Sequence, residues 1–261
     1  MKKTIEIPAC DIDSLPRELQ KVHTTLIQSK ASRKFEETKT HFSPWTWLLI
    51  CILRICGFSH YNTMAVLGYT SYLFDTGYIR DLLGKKKRKK LLDIWAGSWS
   101  ITEVFKPYVE KIFYTESSYF FRRQLRKRGF LEYKKEEANF DIILMLNLLD
   151  RCTNAQKMIQ KYREKLNENG LLIISLPFPI HARYGNWLSS RKQQKLTQDS
   201  TMSFESWVSI FYDEYIAKNN LKVKSFARTK YIVRNPELWK NACFDNAIFV
   251  CSKFDINKKI S

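Results

Sequence analysis

Residues 91–102 read LLDIWAGSWSIT. An apolar run reaches a carboxylate, Asp93, and gives way to a turn of small residues, Ala96, Gly97 and Ser98. A helix-compatible segment follows, and a second apolar run ends at Glu116. This is the order in which doubly wound α/β sheets hold a nucleotide-type ligand at the carboxyl ends of their strands. The turn offers backbone N–H groups, and the acid after the second strand accepts ribose hydroxyls. Asp93 and Glu116 stand 23 positions apart, near the roughly 20 expected of such an acid. Trp95 and Trp99 stand where turns of this kind usually carry glycine.

Downstream the alternation continues. A short helix is expected over 101–110, a strand over 112–115, a basic helix over 118–128 and a short strand over 130–133. Residues 141–146, DIILML, form a continuous apolar run typical of a strand buried on both faces. Thr153 is positioned to cap a helix to about Asn167, with Asn169-Gly170 as its stop signal. A further strand covers 171–176. Residues 178–203 read as a long polar loop, a length that often marks a lid. An amphipathic helix over 204–218 carries Phe204, Trp207, Val208, Phe211 and Tyr215 on one face, a spacing that favours core packing. Two strands, 222–231 and 244–252, close the chain around a loop holding Asn235-Pro236. Alternating βα units ended by a helix and two final strands give the order of a class I methyltransferase, a Rossmann-like, mostly parallel sheet with an antiparallel last strand. The absence of GxGxxG disfavours a nicotinamide dehydrogenase.

Upstream, the first strand is expected over 91–95, preceded by helices over 15–29, 45–56 and 72–83. Pro44 opens the second of these and Gly84 ends the third. The 45–56 segment is too short for a bilayer span, which needs about 20 residues, and reads as a buried, surface-docking or membrane-interface helix. The division expected is a helical extension (1–88), a methyltransferase-like domain (89–254) and a basic tail (255–261).

The net charge of +18 favours acidic partners such as nucleic acid or anionic lipid. The six cysteines lack CxxC spacing and the four histidines show no ligand spacing, so no metal site is expected. The scatter suits a reducing compartment. A cytoplasmic monomer with no transmembrane segment is the expectation, and the basic run 85–90 leaves a nuclear address as the alternative.

Two segments carry a family resemblance. Residues 141–152, DIILMLNLLDRC, and Leu176-Pro177-Phe178 resemble the DREV, or methyltransferase-like protein 9, family, with weaker similarity from about Leu67 to Val250. The resemblance implies an S-adenosylmethionine-dependent enzyme that methylates a ring nitrogen of histidine in proteins with His-x-His sites. By position, Glu116 would bind the cofactor ribose, Asn147 and Tyr231 would line the cofactor pocket, and Asp150 would hold the target imidazole. Asp93 and Gly97 fall in the cofactor turn. The chain departs from the family at Trp95 and Trp99 (glycines), at Ser98 (an acid) and at Ala242 (a tyrosine). Two alternatives stay open: an interaction protein that keeps the fold without catalysis, and a nucleic-acid methyltransferase suggested by the charge.

Overall fold

The computed structural model describes residues 9–26, 29–38, 43–178, 202–234 and 241–254. The expected long loop lies almost wholly outside these residues, as do the Asn235-Pro236 loop and the basic tail. In chain order the helices and strands begin with α1 (Arg17–Gln20), α2 (Lys30–Glu37), α3 (Pro44–Ile55), α4 (His60–Val66), β1 (Thr70–Tyr72) and α5 (Thr76–Leu83). Next come β2 (Arg88–Ile94), α6 (Trp99–Thr102), β3 (Val109–Thr115), α7 (Tyr119–Lys127), β4 (Leu131–Glu132) and β5 (Phe140–Leu146). The chain then forms α8 (Ala155–Arg163), β6 (Leu166–Phe178), α9 (Phe204–Phe211), β7 (Leu221–Arg234) and β8 (Ala242–Lys253).

These elements group into two compact units. One comprises Met1–Leu26, Glu136–Thr229 and Asp245–Ser261. Its strands run in the order β7-β8-β6-β5. β5 pairs parallel with β6, and β6 pairs antiparallel with β8. Ile142, Ile143, Leu144 and Met145 of β5 are fully buried, as the unbroken apolar run requires. The aromatic face of α9 is core: Phe211 packs on Phe249 at 5.3 Å, and Phe249 on Phe226 at 5.0 Å. α9 does not continue as a regular helix to Lys218, because a π turn over Tyr212–Ile216 follows it.

Three expectations are corrected in this unit. Among the described residues of the helix expected over 15–29 only α1 forms, because the chain beyond it pairs with β7: Thr24 N–H donates to Phe226 C=O at 2.8 Å and Phe226 N–H to Val22 C=O at 3.0 Å. Asn154, not Thr153, caps α8, its side chain accepting from Lys157 N–H at 2.9 Å. Asn169-Gly170 is not a helix stop but lies inside β6. The register slips there, with Phe140 opposite Leu166 and Ile142 opposite Leu171. A Cβ on Gly170 would sit 2.9 Å from both Phe140 C=O and a Leu166 methyl, so glycine is required by close backbone approach.

The other unit comprises Ile27–Lys135 and Lys230–Phe244. β2 pairs parallel with β3 and β3 with β4, while β1 pairs antiparallel with the end of β7. The fold is thus a mostly parallel α/β fold with antiparallel late strands. β2 starts three residues before the expected strand, taking in Arg88, Lys89 and Lys90 from the basic run. Tyr72 belongs to β1, and α5 starts only after Asp75, whose carboxylate accepts Gly77 N–H at 2.7 Å. α3 forms as Pro44 predicts, with the Ser43 hydroxyl capping Thr46 N–H at 3.1 Å. No helix among the described residues is long and apolar enough to cross a membrane.

In the first unit Arg228 donates to both oxygens of Asp245 and, at 3.2 Å, to Glu205, and its guanidinium lies 4.0 Å from the Phe204 ring centroid. Arg228→Met strands two carboxylates in a largely buried site. It should lower unfolding free energy by about 3 kcal/mol in urea denaturation. A loss below about 1 kcal/mol would show the cluster to be solvent-relaxed.

Candidate cofactor turn and carboxylate site

The turn after β2 is built on the end of β3. Trp95 N–H donates to the Thr115 hydroxyl at 2.9 Å, and Ala96 N–H to Thr115 C=O at 3.0 Å. Gly97 N–H reaches the Glu116 Oε2 atom at 2.8 Å. The path demands left-handed backbone at two positions, Trp95 (φ 58°) and Gly97 (φ 56°). Glycine accepts that region freely, whereas for tryptophan it costs about 1–2 kcal/mol. The two indoles have different fates. Trp95 is 49% exposed. Trp99 is covered by the Arg128 guanidinium, 3.1 Å from its ring centroid, and Arg128 also pairs with Glu103 at 3.3 Å. Ser98 is buried, its hydroxyl 2.9 Å from that of Ser100, which ties to Ser71 C=O at 2.8 Å.

Asp93 lies under the turn, fully enclosed. Its Oδ2 accepts the Thr102 hydroxyl at 2.6 Å. Burial pushes its carboxyl up to about 7; the Thr102 hydrogen bond opposes the shift and the Glu116 charge adds to it.

Glu116 is the hub of this unit. Oε2 accepts Gly97 N–H and, at 3.0 Å, the Tyr61 hydroxyl of α4. Oε1 accepts Ser118 N–H at 2.7 Å and the Ser117 hydroxyl at 3.4 Å. Ser118 in turn caps α7 and donates its hydroxyl to Asn62 of α4 at 2.7 Å. Glu116 is therefore a buried, four-fold hydrogen-bonded carboxylate and not a surface acid. Tyr231 reaches the same neighbourhood through aromatic contacts. Its hydroxyl lies 3.1 Å from that of Tyr69, and Phe121 sits 6.3 Å from the Tyr69 ring and 5.0 Å from the Tyr61 ring. Ala242 opens β8, half-buried.

Asn147 and Asp150 belong to the other unit, past the end of β5. Asn147 adopts φ 50°, a conformation asparagine tolerates better than most residues. Its Oδ1 accepts the Ser175 hydroxyl at 3.0 Å and Asn246 Nδ2 at 2.8 Å. Asn147 Nδ2 and Asn246 Oδ1 are buried without a hydrogen-bond partner among the described residues. Asp150 sits in a 3₁₀ turn, Leu149–Arg151, and does not cap α8. Its Oδ1 is likewise buried and unpartnered, while Oδ2 lies 3.7 Å from Arg151. Burial pushes the Asp150 carboxyl up, and Arg151 partly offsets this.

The structure thus clusters Asp93, Gly97 and Glu116 and adds Tyr231 through Tyr69; in the other unit Asn147 joins Ser175 and Asn246, and Asp150 faces Arg151. Tyr61, Thr102, Ser118 and Asn246 are new to the reading. Nothing local in the sequence marks them: Tyr61 meets Glu116 across 55 positions. Among the described residues no group of histidine, cysteine and acidic side chains could hold a metal ion.

The raised Asp93 carboxyl has a signed consequence. Folding favours its protonated form, so the stability it contributes is present below its ordinary value of 3.8 and lost as pH rises through about 7. Relative to Asp93→Asn, the wild-type chain should lose on the order of 1 kcal/mol per pH unit across that window in urea denaturation. Parallel pH profiles for the two proteins would refute the assignment.

The sequence model of the DREV methyltransferase family matches residues 10–253. Among solved structures, the chain is similar to the YcgJ protein from Bacillus subtilis, with 12% identity, 69% of this chain and 98% of that chain covered, and a TM-score of 0.44. It is similar to a candidate S-adenosylmethionine-dependent methyltransferase from Listeria monocytogenes, with 13% identity, 69% and 97% covered, and a TM-score of 0.46. A methyltransferase candidate from Bacillus halodurans C-125 shows 10% identity, 69% and 98% covered, and a TM-score of 0.46. The family match covers most of the chain. The chain belongs to the DREV methyltransferase family.

Proposed function

We propose that this protein methylates a ring nitrogen of histidine in proteins carrying His-x-His sites. The observation that carries the reading is Asp150, a buried carboxylate with one oxygen lacking any partner among the described residues. Buried polar atoms are rarely left in that state without a reason. An imidazole N–H would satisfy it. Histidine has an ordinary pKa near 6.5, so much of it is neutral at pH 7 and no strong base is needed. What the reaction needs is the right tautomer. A carboxylate accepting the N–H of one ring nitrogen leaves the lone pair on the other nitrogen free to attack, and positioning does the rest.

S-adenosylmethionine supplies an electrophilic methyl group on a sulfonium centre. The residues present suit that ligand. Glu116 would take the ribose hydroxyls, Asp93 and Gly97 belong to the turn beside it, and Tyr231 adjoins them through Tyr69. The unpartnered Asn147 Nδ2 and Asn246 Oδ1 offer one donor and one acceptor to a bound polar group. One occupant stands in the way: the Tyr61 hydroxyl already donates to Glu116 Oε2. It is a hydroxyl donor, the same chemistry as a sugar hydroxyl, so ligand binding exchanges one such partner for another.

Asp150→Asn should cut methylation of a His-x-His peptide by at least about a hundredfold, a typical loss for a positioned proton-accepting group. The calorimetric affinity for S-adenosylmethionine should stay within about twofold, and mass spectrometry of the wild-type product should place the methyl on the imidazole. Retained turnover, or transfer to another residue type, would overturn the reading.

A further inference from the structure

α3 lies outside everything assigned above. Its twelve residues include none that is buried. Trp45 is 77% exposed and Ile55 is 85% exposed, with Leu48, Leu49 and Ile52 also exposed. These five recur at i, i+3, i+4, i+7 and i+10, so they form one continuous stripe. Thr46, Ile50 and Leu53, half-buried, mark the face turned toward the protein. A helical stripe of this width is normally core; here its apolar side faces water. The helix is nevertheless well made, with Pro44 in its first turn and the Ser43 cap. Exposed apolar patches of this kind mark interaction sites.

The charge around the stripe indicates what covers it. No acidic residue occurs from Ser43 to Phe74, and the chain carries a net +18. Phe58, just past α3, packs on Phe120 of α7 at 5.3 Å, and α7 exposes Arg123, Arg126 and Lys127. A second copy would bring equal positive charge to the contact and be repelled, whereas an anionic surface is attracted. Exposed tryptophan with leucine and isoleucine, flanked by cations, is the chemistry of a helix lying in a bilayer interface. At about 1.5 Å per residue, twelve residues reach about 18 Å, too short for a hydrocarbon core of about 30 Å. We infer that α3 docks the protein on anionic lipid by lying in the plane of the membrane surface, with Trp45, Leu48, Leu49, Ile52 and Ile55 inserted.

The test uses the full chain with vesicles of phosphatidylcholine alone or with phosphatidylserine, read by sedimentation and tryptophan emission. Binding should require phosphatidylserine, weaken with salt, and shift the emission to the blue. A W45S/L48S/I52S variant should lose binding by about tenfold or more while keeping the wild-type melting temperature. If that variant does not fold, Ile55→Glu alone should weaken binding severalfold. Trp47→Ser, off the stripe, should leave binding within about twofold. No association with phosphatidylserine vesicles would overturn the inference. So would a concentration-dependent dimer in light scattering that the triple variant abolishes, since a second copy would then be the partner.

Discussion

A single carboxylate ties together the parts of the cofactor-turn unit. Glu116 accepts the Gly97 amide from the turn after β2, the Tyr61 hydroxyl from α4 and the Ser118 amide that opens α7. Charge-assisted hydrogen bonds of this kind are about twice as strong as neutral ones. Each also fixes the start or end of an element. The turn cannot take its left-handed path at Gly97 without placing that N–H somewhere, and Glu116 receives it. The carboxylate proposed to take a ribose is thus also a structural hub.

The residues that depart from the family pattern in this turn are each held by local partners. Trp95 sits at φ 58° and is held there by Thr115. Trp99 is drawn onto Arg128, a cation–π contact that a glycine could not make. Ser98 joins a hydroxyl chain through Ser100 to Ser71. The replaced positions have acquired partners of their own, so the strain at Trp95 is compensated locally rather than left to the ligand.

The fold was legible from residues 91–146 because burial writes itself into sequence there. The run 141–146 is typical of a doubly buried strand, and the strand–turn–strand order around Asp93 and Glu116 needs no long-range information. The 15–29 segment misled because its apolar spacing suits a helix while its backbone finds β7 instead. Gly170 misled because a glycine demanded by tertiary contact looks the same as one ending a helix. Asp93, Gly97, Glu116, Asn147, Asp150 and Tyr231 stand out as candidates through motif and resemblance. Their partners could not: Tyr61, Tyr69 and Asn246 are joined to them across 55, 162 and 99 positions, and no local pattern encodes such pairings.

We propose that the Glu116 carboxylate is the sugar acceptor; in the structure the Tyr61 hydroxyl occupies it. Isothermal titration of S-adenosylmethionine into the wild-type chain, Tyr61→Phe and Glu116→Ala addresses it directly. Removing the phenol should tighten binding severalfold, about 1 kcal/mol, because one hydrogen bond no longer has to be broken, and removing the carboxylate should weaken it by tenfold or more. Equal or weaker binding by Tyr61→Phe, or undiminished binding by Glu116→Ala, would contradict the account.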